Sequence, residues 1–100
     1  MRHELTKLEK ELYIRVDEVL HYVWDPIGVS IEPNARDEYD AYVPQVFGLL
    51  KKGVAASIIA AYLTQTTVDR MGLRENQAHD LKVAQILIDW GAALAEKHGQ

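Results

Sequence analysis

Apolar residues recur along most of the chain at the spacing of a helix. The first apolar stripe consists of Leu5, Leu8, Leu12, Val16, Val19, Leu20 and Val23. Charged side chains fill mostly the positions between them, which is the pattern of an amphipathic helix. We therefore predict a first helix over residues 3–24.

The first helix is followed by a predicted loop that reaches to about residue 36. Pro26 disfavours helical backbone at the residue before it, and Asp25-Pro26-Ile27-Gly28 has the sequence of a type I turn, with Asp first, Pro second and Gly fourth. A second turn is predicted at Pro33-Asn34. The two apolar residues of this loop, Val29 and Ile31, are expected to fold onto the core.

A second helix is predicted over residues 37–51. Its apolar stripe consists of Tyr39, Tyr42, Val43, Val46, Phe47 and Leu50. Pro44 conflicts with a helix interior, because proline lacks a backbone N–H and clashes with the preceding turn. Either the helix begins near Ala41, with Pro44 in its first turn, or it begins at Asp37 and kinks. The upstream position of Tyr39 favours the kink. Gly53 is predicted to cap the carboxyl end.

Two further helices are predicted over residues 55–71 and 76–97, the last with Asn76 as a candidate N-cap. The main apolar row of the third helix is Ile58, Ala61, Tyr62 and Val68, widened by Ile59 and Leu63. The main row of the fourth is Leu81, Ala84, Leu87, Ile88, Gly91 and Leu94, with Val83, Ile86 and Trp90 as a second apolar edge. Short connections favour antiparallel neighbours. The predicted fold is a single all-α domain over residues 1–100, a four-helix antiparallel bundle-like structure with a long loop between helices 1 and 2.

Composition excludes several classes of function. The 100 residues include no cysteine, so the chain has no disulfides, thiolate metal sites or cysteine nucleophile. No apolar run reaches the length of a membrane span, and no signal-peptide core follows the charged first residues, so we expect a cytoplasmic protein that binds no membrane. A net charge of −4 argues against a nucleic-acid partner.

Residues with catalytic or metal-binding chemistry are few and scattered. The four histidines form no His-x-x-x-His pair, and neither serine lies in a Gly-x-Ser-x-Gly motif. Asp17, His21 and Asp25 are spaced four residues apart and would share a helix face, but a fourth metal ligand is missing. We therefore predict no catalytic residue, no metal site and no cofactor, and a solvated histidine beside carboxylates at position 21.

Negative charge is concentrated in one part of the chain, which we call the acidic segment. Residues 17–40 hold seven carboxylates and one cation, Arg36, for a net charge of −6, whereas the remaining eight acids and ten bases carry +2. Such a segment is either a docking surface for a basic partner or a solvated loop whose acids favour the start of a helix. The predicted partner-binding residues are Asp25, Glu32, Asp37, Glu38, Tyr39, Asp40 and Tyr42. The tyrosines, beside Trp24, are expected to supply contact area.

Several short motifs resemble a largely uncharacterised bacterial family of small helical proteins. They are Trp24-Asp25-Pro26-Ile27-Gly28, Asp37-Glu38-Tyr39-Asp40-x-Tyr42, Leu49-Leu50, Ala61-Tyr62-Leu63 and Met71-Gly72-Leu73. The resemblance covers about residues 16–92 and implies an all-helical fold, a bacterial cytoplasmic setting and no catalytic residue. The chain departs from the family after Gly53. The family tends to carry a serine cap and acidic residues there, whereas this chain has Val54-Ala55-Ala56. The third helix is therefore expected to be less well capped or more buried at its start.

In size and charge alone the chain also resembles the immunity proteins that neutralise bacterial toxins, including those of contact-dependent inhibition. The leading hypothesis is a non-enzymatic protein-binding module, most concretely an immunity protein that covers a toxin's basic active-site surface. The alternative is a structural or regulatory protein that forms a homodimer through Val83, Ile86 and Trp90. An enzyme would need a carboxylate–histidine site such as Asp17 with His21.

Overall fold

The protein is all-helical, as predicted. A computed structural model describes residues 4–99, so the predicted start of the first helix at residue 3 lies outside the described residues. The elements are α1 (Lys7–Val19), α2 (Val43–Lys52), α3 (Ala56–Asp69) and α4 (Gln77–His98), with a π-helical turn at Leu20–Trp24 and 3₁₀ turns at Pro33–Ala35 and Asp40–Tyr42. α4 packs against α1 and α3, and α1 also packs against α2. Across residues 4–99, no helix combines the length and apolarity needed to cross a membrane.

Ion pairs and a cap define the start of α1 and its relation to its neighbours. Thr6 and Glu9 form a capping box, in which each side chain accepts a hydrogen bond from the other residue's backbone N–H. Lys51, at the end of α2, pairs with Glu9 at 2.6 Å, and Lys97, at the end of α4, pairs with Glu11 at 2.9 Å. Glu9 and Glu11 lie near the start of α1, whereas the two lysines lie at the ends of their helices. Both α2 and α4 therefore run antiparallel to α1.

The π-helical turn at the end of α1 changes which side chains reach the core. The Asp25 N–H donates to the Leu20 carbonyl, five residues back, at 3.1 Å. The wider turn places Val16, Leu20 and Trp24 in one buried row, each at most 1% exposed. Val23, which the helical period predicts to be in the core, is rotated outward and is 40% exposed.

α2 begins later than predicted and does not kink. Pro44 lies in the first turn of α2, where the missing N–H would have no intrahelical partner in any case. Of the two alternatives, the kink is therefore wrong, and Tyr39 precedes the helix in a separate turn. The carboxyl end agrees with the prediction, because Gly53 takes the left-handed conformation with φ of 71°.

The buried faces of α3 and α4 differ from the main apolar rows predicted for these two helices. Ile58 and Val68 are 51% and 41% exposed, whereas Ile59 and Leu63 are fully buried. On α4, Leu81 is 49% exposed and Val83 is buried. Both helices carry apolar residues around most of their circumference, so periodicity alone does not identify the core face. Ala55 is the N-cap of α3 and offers no side-chain capping bond, as the sequence leads us to expect. Asn76 caps α4 by accepting from the His79 N–H.

A buried polar cluster joins the end of α1 to α3 and α4. The Asp80 carboxyl group, only 2% exposed, accepts hydrogen bonds from Trp24 Nε1 at 3.1 Å and from Thr64 Oγ1 at 2.7 Å. His79 Nε2 donates to the Trp24 carbonyl at 3.0 Å. A buried acceptor without donors is costly, so this cluster specifies where Trp24 docks.

We expect the isosteric change Thr64→Val to destabilise the protein by about 1–3 kcal/mol, because it removes one donor to a buried carboxyl group. The measurement is urea unfolding, with a lower midpoint and an unchanged m-value.

Thr67→Val is the matched control. Its hydroxyl donates only to the Leu63 carbonyl of its own helix, and we expect its loss to change stability by less than about 0.5 kcal/mol. Equal effects of the two substitutions would contradict a special contribution from Thr64.

Candidate functional site

The Asp25 side chain organises the loop that leaves the π-helical turn. Its carboxylate accepts from the backbone N–H groups of Gly28, Val29 and Ser30 at 3.1, 2.8 and 3.1 Å. It also accepts from the Tyr39 hydroxyl at 2.7 Å, and that hydroxyl in turn accepts from the Ile27 N–H. Asp25 has φ of 32°, a left-handed conformation that Asp tolerates better than most residues. The predicted turn is closed by a bond from the Gly28 N–H to the Asp25 carbonyl.

These contacts shift the pKa values of both side chains. Burial works to raise the pKa of Asp25, but the hydrogen bonds from Tyr39 and from the loop N–H groups outweigh it and hold that pKa below its ordinary value. Burial and the adjacent Asp25 carboxylate raise the pKa of Tyr39. Asp25 is thus an ionised residue whose carboxylate is engaged by the loop and by Tyr39. Its role in partner binding stays a prediction.

Two further acids of the acidic segment are neutralised by arginines. Arg36 binds Asp17 with both terminal nitrogens, at 3.2 and 3.0 Å, and stacks over the Tyr22 ring at 5.3 Å. Arg15 pairs with Glu18 at 2.8 Å. Asp17, Glu18 and Asp25 therefore add little unbalanced negative potential at the surface.

Four carboxylates stay exposed, and we call them the acidic corner: Glu32, Asp37, Glu38 and Asp40. None forms an ion pair with another side chain of residues 4–99. Asp37 and Asp40 line an open depression of about 570 Å³ together with Asp17, Arg36 and the Pro33-Asn34 turn. Burial, followed by repulsion from Asp17 and Asp37, raises the pKa of Asp40. The fold therefore brings Asp37 and Asp40 together, while Glu32 and Glu38 lie on adjoining turns.

The aromatic residues of this region belong to the core more than to the surface. Trp24 and Tyr39 are 1% and 2% exposed, and their rings lie 5.3 Å apart. Tyr42 is half-buried and packs edge-on against Trp24 at 6.0 Å. Tyr39 therefore cannot supply contact area to a partner, and the prediction for it is wrong. Its place in the helical stripe was the signal for burial.

Several apolar and aromatic side chains are exposed in this region. Ile31 is 87% exposed, so its predicted folding onto the core is wrong, whereas Val29 does pack against the core. Ile27 and Tyr22 are 45% and 58% exposed. The spacing of Val29 and Ile31 gave no signal for this difference, since residues two apart in an extended segment share a face.

Asp17, His21 and Asp25 do not form a ligand set. His21 is buried, with its ring 4.4 Å from that of Tyr22, so it is not the solvated histidine that was predicted. The carboxylates of Asp17 and Asp25 are engaged by Arg36 and by the loop. Within residues 4–99, no group of three or more His, Cys, Asp or Glu side chains is arranged to hold a metal ion.

The predicted self-association edge on α4 is only partly exposed. Val83 is fully buried, which removes it from any surface, and Ile86 and Trp90 are 36% and 38% exposed. The Arg15 guanidinium lies over the Trp90 ring at 5.5 Å.

Comparisons with protein-family models, with curated proteins and with solved structures found no significant match to this chain.

We expect Asp25→Asn to destabilise the protein at neutral pH and to do so progressively less as the pH falls. The folded-state pKa of Asp25 lies below the value of about 3.9 for an unfolded chain. Ionised Asp25 therefore stabilises the fold above that pH, and this contribution is lost as the pH falls through the lower folded-state pKa.

Urea unfolding of wild type and variant between about pH 7 and about pH 3 measures this difference. Asp37→Asn is the control, because this exposed carboxylate accepts no side-chain hydrogen bond within residues 4–99. A deficit of the Asp25 variant that is constant over the whole range would contradict the assignment.

Proposed function

We propose that this chain is a non-enzymatic protein-binding module whose acidic corner covers a basic surface of a partner protein. The observation that carries the proposal is the exposure of Glu32, Asp37, Glu38 and Asp40, none of which forms an ion pair with a side chain of residues 4–99. Unbalanced charge of one sign on one surface raises the rate of encounter with a partner of the opposite sign.

The most concrete form of the proposal is an immunity protein that neutralises a bacterial toxin. Toxins that cleave nucleic acids need cationic substrate grooves, because the phosphate backbone dominates their binding. An acidic surface on a small, rigid domain is complementary to such a groove and occludes it. The resemblance to immunity proteins in size and charge supports this form of the proposal, as does the resemblance to a bacterial helical family.

The loop geometry supports binding by a preformed surface. Asp25 holds the base of the loop through three backbone N–H groups, and Arg36 ties its far end to Asp17 on α1. A surface that is already ordered loses less conformational entropy when it binds.

The test is binding to the carboxy-terminal domain of a large secreted protein encoded directly upstream of this gene. We expect that domain to inhibit growth when it is expressed alone, and co-expression of the wild-type chain to restore growth. We also expect the two purified proteins to associate faster at low salt than at high salt. A neighbourhood without such a gene would contradict the immunity role. If the domain inhibits growth and co-expression of this chain does not relieve that inhibition, the immunity role is contradicted as well.

We expect Glu32→Lys/Glu38→Lys to slow association at least about tenfold at low salt and to flatten its salt dependence, because charge pairs across the interface steer encounter. The matched control is Glu75→Lys/Glu96→Lys, which changes net charge equally at exposed positions outside the acidic corner. Stopped-flow binding between about 50 and about 500 mM salt measures both. Equal slowing by the two variants would assign the effect to net charge and contradict docking through the acidic corner.

A further inference from the structure

Ile31 is the most exposed large apolar side chain of residues 4–99, at 87%. It lies at the tip of a turn that is closed by a hydrogen bond from the Glu32 N–H to the Val29 carbonyl at 2.9 Å. No large apolar residue is this exposed elsewhere in the described part of the chain; the next, Tyr22, is 58% exposed. An isolated exposed apolar residue is ordinary, so the case for Ile31 depends on how it is held and on what surrounds it.

The turn that carries Ile31 is held from both sides. On the preceding side, Asp25 accepts from the Val29 and Ser30 N–H groups, and Val29 packs against the core. On the following side, the Ala35 N–H donates to the Glu32 carbonyl at 3.0 Å. The backbone that carries Ile31 is therefore held by hydrogen bonds on both sides, which lowers the backbone entropy lost when a partner covers this residue.

The charges near Ile31 indicate what kind of surface covers it. Glu32 follows it directly, and the other carboxylates of the acidic corner lie on the next turns of the same segment. An anionic lipid surface or a nucleic acid would be repelled by these groups. An apolar side chain at the centre of an interface, bordered by charges that meet opposite charges at the rim, is the arrangement of a binding hot spot.

We propose that Ile31 is the apolar anchor of the partner interface and inserts into an apolar depression bordered by lysine or arginine on a basic protein. This inference rests on the proposed function and adds the chemistry of the partner surface. The carboxylates then govern the rate of association, and Ile31 governs the rate of dissociation, because a desolvated apolar contact forms only in the docked complex.

The first experiment is site-specific photo-crosslinking in cells that carry the gene, with p-benzoylphenylalanine at position 31. The control carries p-benzoylphenylalanine at position 14, because Ile14 is a half-exposed isoleucine on α1 outside the acidic corner. We expect one heterologous product from position 31 and none from position 14. Mass spectrometry of the product should place the crosslink in an apolar depression bordered by cationic residues.

The second experiment measures the binding kinetics of the crosslinked protein, once purified, with Ile31→Ala and with Ile14→Ala. We expect Ile31→Ala to weaken binding about 10- to 100-fold, through faster dissociation and with association changed less than about twofold, since about three buried methylene equivalents are lost. Ile14→Ala should leave both rates unchanged. Both side chains are solvent-exposed, so the fold tolerates both changes.

The outcomes separate this inference from the proposed function. If Ile31→Ala binds like wild type while Glu32→Lys/Glu38→Lys slows association, the anchor is wrong and the acidic docking surface stands. Position 38, within the acidic corner, is a second site for the same photo-crosslinking residue. If the crosslinked surface is acidic, or if neither position 31 nor position 38 yields a product, both proposals are overturned.

Discussion

The Asp25 carboxylate is the constraint on which the acidic corner depends. It stands where the π-helical turn of α1 ends, and it gathers three consecutive backbone N–H groups and the Tyr39 hydroxyl around one charge. Those donors come from the loop and from the turn before α2. Without an acceptor at this point, the N–H groups would need water, and the segment from Pro26 to Tyr39 would lose its fixed path over the end of the bundle.

The neighbouring Trp24 connects that loop to the rest of the domain. Its indole N–H binds Asp80 and its carbonyl accepts from His79, so the start of α4 is tied to the residue directly before Asp25. Trp24 also contacts the Tyr39 ring. The Trp-Asp-Pro-x-Gly and Asp-Glu-Tyr-Asp motifs are thus two halves of one junction, joined by the Asp25–Tyr39 hydrogen bond. In this chain their aromatic residues and Asp25 stabilise the fold, and surface chemistry falls to the residues between and beside them.

The charge of the acidic segment divides according to the same geometry. The Asp25 carboxylate accepts hydrogen bonds from the loop backbone, Asp17 pairs with Arg36, and Glu18 pairs with Arg15. What reaches the surface is a smaller set, the acidic corner, around a rigid turn with Ile31 at its tip. Exposed ion pairs contribute little to the free energy of unfolding. The main effect of the Arg36–Asp17 pair is therefore to position the loop. A formal charge of −6 therefore overstates the unbalanced negative charge at this surface, which lies within the part of the chain that the sequence indicates.

Local patterns in the sequence determined the helices, their ends and the position of the loop. Apolar periodicity, Gly53, Asn76 and the Asp-Pro-x-Gly turn are signals that act over a few residues, and each was confirmed in its main point. Tertiary structure decided which face of each helix is buried. The π-helical turn exchanges Val23 for Trp24 in the core, the uniformly apolar α3 buries Ile59 instead of Ile58, and Asp80 is buried because Trp24 and Thr64 supply donors from other elements. Tyr39 is buried by residues that lie far away along the chain, whereas Ile31 is left exposed at the tip of its turn. No local pattern encodes a hydrogen bond across 14 residues, such as that from Tyr39 to Asp25, so these assignments required the packed structure.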